Sequence, residues 1–176
     1  MFFEQESLSF ELLDILSLEQ ENVRVFNRGR PFSALSFRFR ADTQLETDTE
    51  AYHVQDHCVA YFPANLPYTR TARVDEMIVF HFHALQAPTR KIEFFQPQDP
   101  RQLADLFRRA LNLWNNGEPG YRHHCSAVLY EILALCHREN YRPHQSISRL
   151  QPSMEYLHRH YQDPELTIEE LAAQSF

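Results

Sequence analysis

Arg38 and Arg40, His81 and His83, Tyr61, Tyr68 and His53 are the side chains of this sequence best suited to hold a small molecule. In SALSFRFR the arginines alternate with Leu35, Phe37 and Phe39, and in MIVFHFHAL the histidines alternate with Ile78, Phe80 and Phe82. Each polar pair is therefore expected on one face of a strand. Guanidinium forks, imidazoles and phenol hydroxyls supply donors and acceptors in several directions, and aromatic rings supply flat apolar surface. The same residues have plainer uses. The arginines can be outward charges opposite an apolar face, the histidines can stack on aromatics, and the tyrosines can be core residues with bonded hydroxyls. A one-residue slip in register would turn every choice to the opposite face.

His53, His57, His81 and His83 also raise metal binding, because neutral imidazole is a common ligand. Glu76 stands too close to His81-x-His83 to complete a metal-binding set, so neither a metal nor a cofactor is expected. His123-His124 and His158-x-His160 lie on predicted helices at spacings that point their side chains apart. No nucleophilic triad, P-loop or dinucleotide fingerprint is present, and three glycines leave little from which to build a phosphate-cradling loop. The chain is not expected to be an enzyme.

The elements that must position these residues change character along the chain. From Val23 to Phe95 short β-rich runs are broken by turns, and HCVAYFPANLPY ends in two prolines where a strand leaves its sheet. An antiparallel barrel or sandwich follows. After Pro97 the period becomes helical: Leu103, Leu106, Phe107, Ala110, Leu111 and Trp114 recur at 3.6-residue spacing, with Asp99 as N-cap and Pro100 at the first helical position. Asn115, Asn116, Gly117, Pro119 and Gly120 then break the chain.

A second helix is predicted from Tyr121 to Glu139, with Cys125, Val128, Leu129, Ile132, Leu133 and Cys136 forming an apolar stripe. One helix must cover the barrel, and two stripes exceed what one barrel face requires. The second stripe is therefore read as a homodimer interface, with packing onto the chain's own barrel as the alternative. The domain boundaries expected are 1–96 for the barrel with an N-terminal arm, 97–140 for the helical hairpin, 141–150 for a polar linker, and 151–176 for a second helical segment. Phe2, Phe3, Leu8 and Phe10 of the arm are placed to fold over the pocket, or else to form an ordinary first strand and helix.

At 176 residues the chain has room for one good core and a helical appendage. With 43% hydrophobic and 23% charged residues it has an ordinary globular balance. A net charge of −7 gives no broad positive field for nucleic acid, so any DNA contact must be local. The start MFFEQESLSF carries an acid where a signal peptide carries basic residues, and no apolar run approaches the roughly 20 residues of a membrane span. A cytoplasmic location without membrane contact is expected. Cys58, Cys125 and Cys136 show no CxxC spacing and are expected as reduced, buried thiols.

The last segment, MEYLHRHYQDPELTIEELAAQSF, contains a helix, a Gln162–Pro164 turn, and a Thr167-x-x-Glu170 capping box that starts a further helix. It resembles the opening of the AraC-family DNA-binding domain: a helix ending near a tyrosine, an acidic-Pro turn, Leu-Thr, then a helix with Leu-Ala. The front half resembles the cupin-like barrel of sugar-responsive members, with FPANLPYTR similar to the turn at the barrel mouth and MIVFHF to the strand that follows. The resemblance implies an α+β chain. A jelly-roll type antiparallel β-barrel would be followed by an α-helical dimerisation hairpin and a truncated helix-turn-helix segment.

It also implies a small-molecule effector, a carbohydrate, held by the polar set named above, with the family's ligand-contacting arginine and late-strand polar residue near Arg40 and His81. The recognition helix of such a domain would lie beyond Phe176, so DNA-binding residues are unknown and DNA is a partner only of the full-length protein. Arg142, Arg149 and Arg159 could touch phosphates there, or simply form a solvated face. A metal-dependent cupin enzyme and a cupin interaction module without DNA binding are the alternatives.

Overall fold

The computed structural model describes residues 1–86, 89–140, 145–161 and 166–173, with the backbone alone for 145–152. The chain divides into two compact units, Met1–Asn140 and Tyr141–Phe176. In the first, the described residues form one antiparallel sheet of β1 (Phe10–Asn27), β2 (Ser33–Glu46), β3 (Ala51–Gln55), β4 (Val59–Phe62), β5 (Tyr68–Ala84) and β6 (Glu93–Phe95). The order is β1-β5-β2-β4-β6, with β3 paired to the far half of β2. Two helices follow, α1 (Pro100–Asn116) and α2 (Tyr121–Asn140), so the unit is α+β.

The sheet is open, where the sequence reading has a closed barrel. Its path ends at β1 on one side and at β6 on the other, and β6 has only three residues with which to pair. The chain start crosses that side instead. A short helix at Phe2–Glu4 places the Phe2 N–H 2.6 Å from a Glu93 carboxylate oxygen and the Phe3 ring 5.6 Å from the Phe95 ring. Of the supposed arm, Phe2 and Phe3 thus belong to the core, and Phe10 opens β1.

Both faces of the sheet are apolar. Leu35, Phe37, Val59, Ile78, Phe80 and Phe82 face the helices, where Phe107 lies 5.6 Å from Phe37 and 5.3 Å from Phe80, ring to ring. Ala34, Leu45, Val54, Ala60, Phe62 and Val79 form a second cluster on the opposite face. Sheets clad on both faces read as long apolar runs, which is why β4 is buried at every residue of Val59–Phe62.

Helix α1 forms as its sequence dictates. The Asp99 side chain accepts from the Arg101 N–H at 3.1 Å, Pro100 occupies the first turn, and Gly117 closes the end at φ 64°. Helix α2 turns most of its stripe inward, as in the alternative reading of packing onto the chain's own core. Cys125, Val128, Leu129, Ile132 and Cys136 are buried in the chain's own core, against the sheet and α1, and of the six only Leu133 is partly accessible. Helix α1 lies on the sheet, and α2 packs on α1 and on the short helix at Phe2–Glu4. The three cysteines are free and buried.

In the second unit, α3 (Gln145–His160) already begins at Gln145, so residues 145–150, read as linker, are helical. In α4 (Ile168–Ala173) the capping box is made: Thr167 N–H donates to Glu170 at 3.1 Å and Glu170 N–H to the Thr167 hydroxyl at 3.2 Å. The Ser153 hydroxyl donates to the Leu171 carbonyl, which ties α3 to α4. Arg159 pairs with Glu155 at 3.8 Å on an exposed face. The Gln162–Pro164 turn, Arg142, the Arg149 side chain and the final residues 174–176 lie outside the described residues.

Candidate ligand-binding site

Strands β1 and β5 are long enough to curl. Near Asn22, which has φ 51°, and at Arg73, an extra residue in β5 where it pairs with β2, the ribbon bends. Its far end, carrying Val25 and Asn27 with Tyr68 and Arg70, then shares a cavity with Leu18, Gln20, Ala34, Ser36, Arg38, Met77 and Val79. Phe62 and Arg30 complete a space of about 190 Å³. That suits a ligand on the order of ten non-hydrogen atoms, since a liquid water occupies about 30 Å³ and bonded atoms pack closer.

Three guanidiniums enter this space, and each is held differently. Arg38, 1% exposed, directs Nε to Asp75 Oδ1 at 3.2 Å and Nη1 to the Ser36 hydroxyl at 2.9 Å, with its guanidinium carbon 5.5 Å from the Phe62 ring centre. Arg70 donates to the other Asp75 oxygen at 2.9 Å and to the Gln20 side-chain carbonyl. Asp75 is fully buried, so one carboxylate is shared by two arginines.

Arg30 stands apart. It comes from the β1–β2 connection, where Gly29 adopts φ 98° and its N–H donates to the Asn27 side chain at 3.0 Å, while the Arg30 carbonyl accepts from Asn65 N–H at 2.6 Å. A Cβ on Gly29 would meet the Asn65 carbonyl carbon at 3.0 Å, so both backbone conformation and close approach require glycine. From this turn Arg30 donates to the Tyr68 hydroxyl at 3.1 Å and meets His81 Nε2 at 3.2 Å. His81 Nδ1 lies 2.7 Å from an Asp14 carboxylate oxygen.

Burial pushes the His81 imidazole pKa down, Asp14 pulls it up, and the Arg30 charge pushes it down again, for a net lowering. The consistent tautomer is neutral, with Nδ1–H donating to Asp14 and Nε2 accepting from Arg30. No carboxylate among the described residues pairs with Arg30.

The seven residues singled out in the sequence fall in three places. Arg38 and Tyr68 line the cavity, and His81 joins it through Arg30. Tyr61 and His83 border a separate hollow of about 460 Å³ near the β4–β5 connection, with Phe32, Asn65 and Arg90. There Tyr61 is buried, its ring stacked at 3.8 Å on Phe2 and its hydroxyl 3.2 Å from Ser33; burial raises its pKa. Arg40 and His53 lie on an open outer surface with Asp42, Asp56 and Arg73.

Arg38 and Arg40 do not share a face, because β2 carries an extra residue at Phe39 and the alternation resets there. Among the described residues no group of three His, Cys, Asp or Glu side chains is placed to hold a metal. Arg30, Arg70, Gln20 and Asp75 were missed by sequence reasoning. Arg70 was findable, since it follows Tyr68 by two residues on one strand face.

No protein-family model matches the chain, and no curated protein matches it by sequence. Among solved structures it is similar to the AraC-like transcriptional activator CuxR, at 11% identity and TM-score 0.37, covering 93% of this chain and 64% of that one. It is similar to apo ToxT K231A from Vibrio cholerae strain SCE256, at 10% identity and TM-score 0.43, covering 94% and 79%. It is also similar to the 7S globulin of Momordica charantia, at 13% identity and TM-score 0.33, covering 54% and 36%. The chain thus spans less than two thirds of the CuxR chain. At these scores the likenesses carry no argument about function, and the functional reading rests on the chain's own residues.

Proposed function

We propose that this chain is the effector-sensing portion of an AraC-type transcription regulator. Its first unit is a cupin-like sheet domain that binds a small molecule, and its second is the beginning of a helix-turn-helix domain. The observation that carries the reading is the cavity, a preformed space with buried arginine and an apolar lining, in a chain whose second unit holds a capped helix where the AraC-like sequence requires one.

The mechanism is linkage. An effector that binds one arrangement of the units better than another shifts the population toward it and so changes DNA affinity. Homodimerisation belongs to the same proposal, through the side of α2 where Tyr130 is exposed and Leu133 partly accessible. The sequence resemblance carries the expectation of a carbohydrate effector, so saccharides belong in any screen beside organic acids.

A thermal-shift screen of metabolite classes tests the sensor. At least one class raises Tm in a saturable manner; a flat response to every class overturns the reading. DNA affinity of the protein with and without that metabolite tests the regulator, and an unchanged affinity leaves a sensor with no regulatory output.

A further inference from the structure

The geometry points to a small organic anion, a carboxylate with a short apolar body, as the ligand of the Arg30–Arg38–Arg70 cavity. The inference rests on the sensor reading and narrows it. Among the described residues the cavity lining includes three guanidiniums and no acidic side chain. Asp75, behind the wall, answers Arg38 and Arg70 with a single negative charge. Asp14 is separated from Arg30 by the His81 ring, so the three guanidiniums keep an excess of positive charge in a partly enclosed space, and an unbalanced guanidinium held partly away from water is costly. A ligand carboxylate supplies the missing charge.

The positions of the partners say where it binds. Arg38 is already paired with a carboxylate, its Nε on Asp75 and one Nη on Ser36. Among the described residues Arg30 is bound by neutral groups, the Tyr68 hydroxyl and the acceptor nitrogen of His81. An incoming carboxylate competes with both on favourable terms, because a charge-assisted bond to guanidinium is about twice as strong as a neutral one. Arg70 lines the same space, and the Tyr68 hydroxyl can turn to donate once Arg30 is engaged.

Leu18, Val25, Ala34, Phe62, Met77 and Val79 form the apolar part of the lining, beside Gln20, Asn27 and Ser36. The apolar part offers a bed for a short hydrocarbon or a single ring. A neutral sugar would leave the excess charge unanswered.

Isothermal titration of the full chain with benzoate, hexanoate, benzamide, hexanamide, glucose and inorganic phosphate tests this, each ligand run against wild type, Arg30→Gln and Arg30→Lys. Each organic probe fits the volume. The carboxylates should bind, and their isosteric amides should bind at least about tenfold more weakly. Arg30→Gln should weaken the carboxylates by about ten- to a hundredfold while leaving the far-UV spectrum and Tm intact. Arg30→Lys should recover part of the loss by charge alone.

Amides or glucose binding as well as the acids, with Arg30→Gln indifferent, would overturn the anion while the sensor reading stands. Phosphate binding as tightly as the acids would overturn the organic half and leave a bare anion hole. Silence from all six, combined with a flat metabolite screen, would remove both readings.

Discussion

His81 has its two ring nitrogens answered by opposite charges, and that arrangement works only for a neutral ring. Its pKa lies below the usual value of about 6.5, set first by burial and then by the Arg30 charge against the pull of Asp14. The unfolded chain therefore takes up a proton at a pH where the folded chain still refuses it. Stability from this residue is whole above about pH 6.5 and falls as pH drops from there toward the folded pKa. Urea unfolding between pH 8 and 5.5 should show wild type losing more stability than His81→Gln; parallel losses would refute the neutral-ring account.

Asp75 makes the complementary case. Asp75→Asn leaves Arg38 and Arg70 facing each other with no counter-charge, and breaking a buried ion pair from one side costs about 3–5 kcal/mol. The expected drop in the urea midpoint, with an unchanged m-value, checks it.

Elements decide which of these residues meet, and the sequence carried unequal information about them. Helix α1 was legible because its stop and start signals are chemical: Asp99 and Pro100 at one end, Gly117 at the other. The capping box of Thr167 and Glu170 was legible for the same reason. Strand β1 was not, because its register shifts at Leu13 and puts Leu12 and Ile15 on the buried side, three residues apart as in a helix. The extra residue Phe39 likewise hides in an unbroken alternation and sends Arg40 away from Arg38.

An apolar stripe on α2 has no label for whose core it joins. Leu129→Ala separates the possibilities. As a core residue it should cost about 2–5 kcal/mol, independent of protein concentration and with unchanged sedimentation. A change in assembly state would restore the stripe as an interface.

The β1–β2 turn is the other element on which the site depends. Gly29→Ala forces a φ of 98° on a side chain whose Cβ would press on Asn65 backbone. A loss of about 1–3 kcal/mol is expected, together with weakened binding of any ligand that uses Arg30. Full binding at reduced stability would show that Arg30 is positioned by something other than this turn.

At the scale of the whole chain, unequal division into units has a calorimetric consequence. The helix-facing cluster, the second cluster behind the sheet and the arginine cavity are all built from residues of Met1–Asn140. The other unit is short, α4 buries none of its residues, and Ile168 is 80% exposed. Unfolding enthalpy scales at about 0.7 kcal/mol per residue near 60 °C, which gives on the order of 100 kcal/mol for the first unit and at most about 25 for the second. A unit that small cannot bury enough surface to melt sharply. Scanning calorimetry should therefore show one dominant cooperative transition that survives in a fragment of residues 1–140, with a Tm within a few degrees of the full chain. A ligand of the arginine cavity should raise that transition alone, by an amount that grows with the logarithm of its concentration. A fragment that precipitates or melts without cooperativity would mean that the second unit supplies part of the sheet domain's stability, and the boundary at Asn140 would then be wrong.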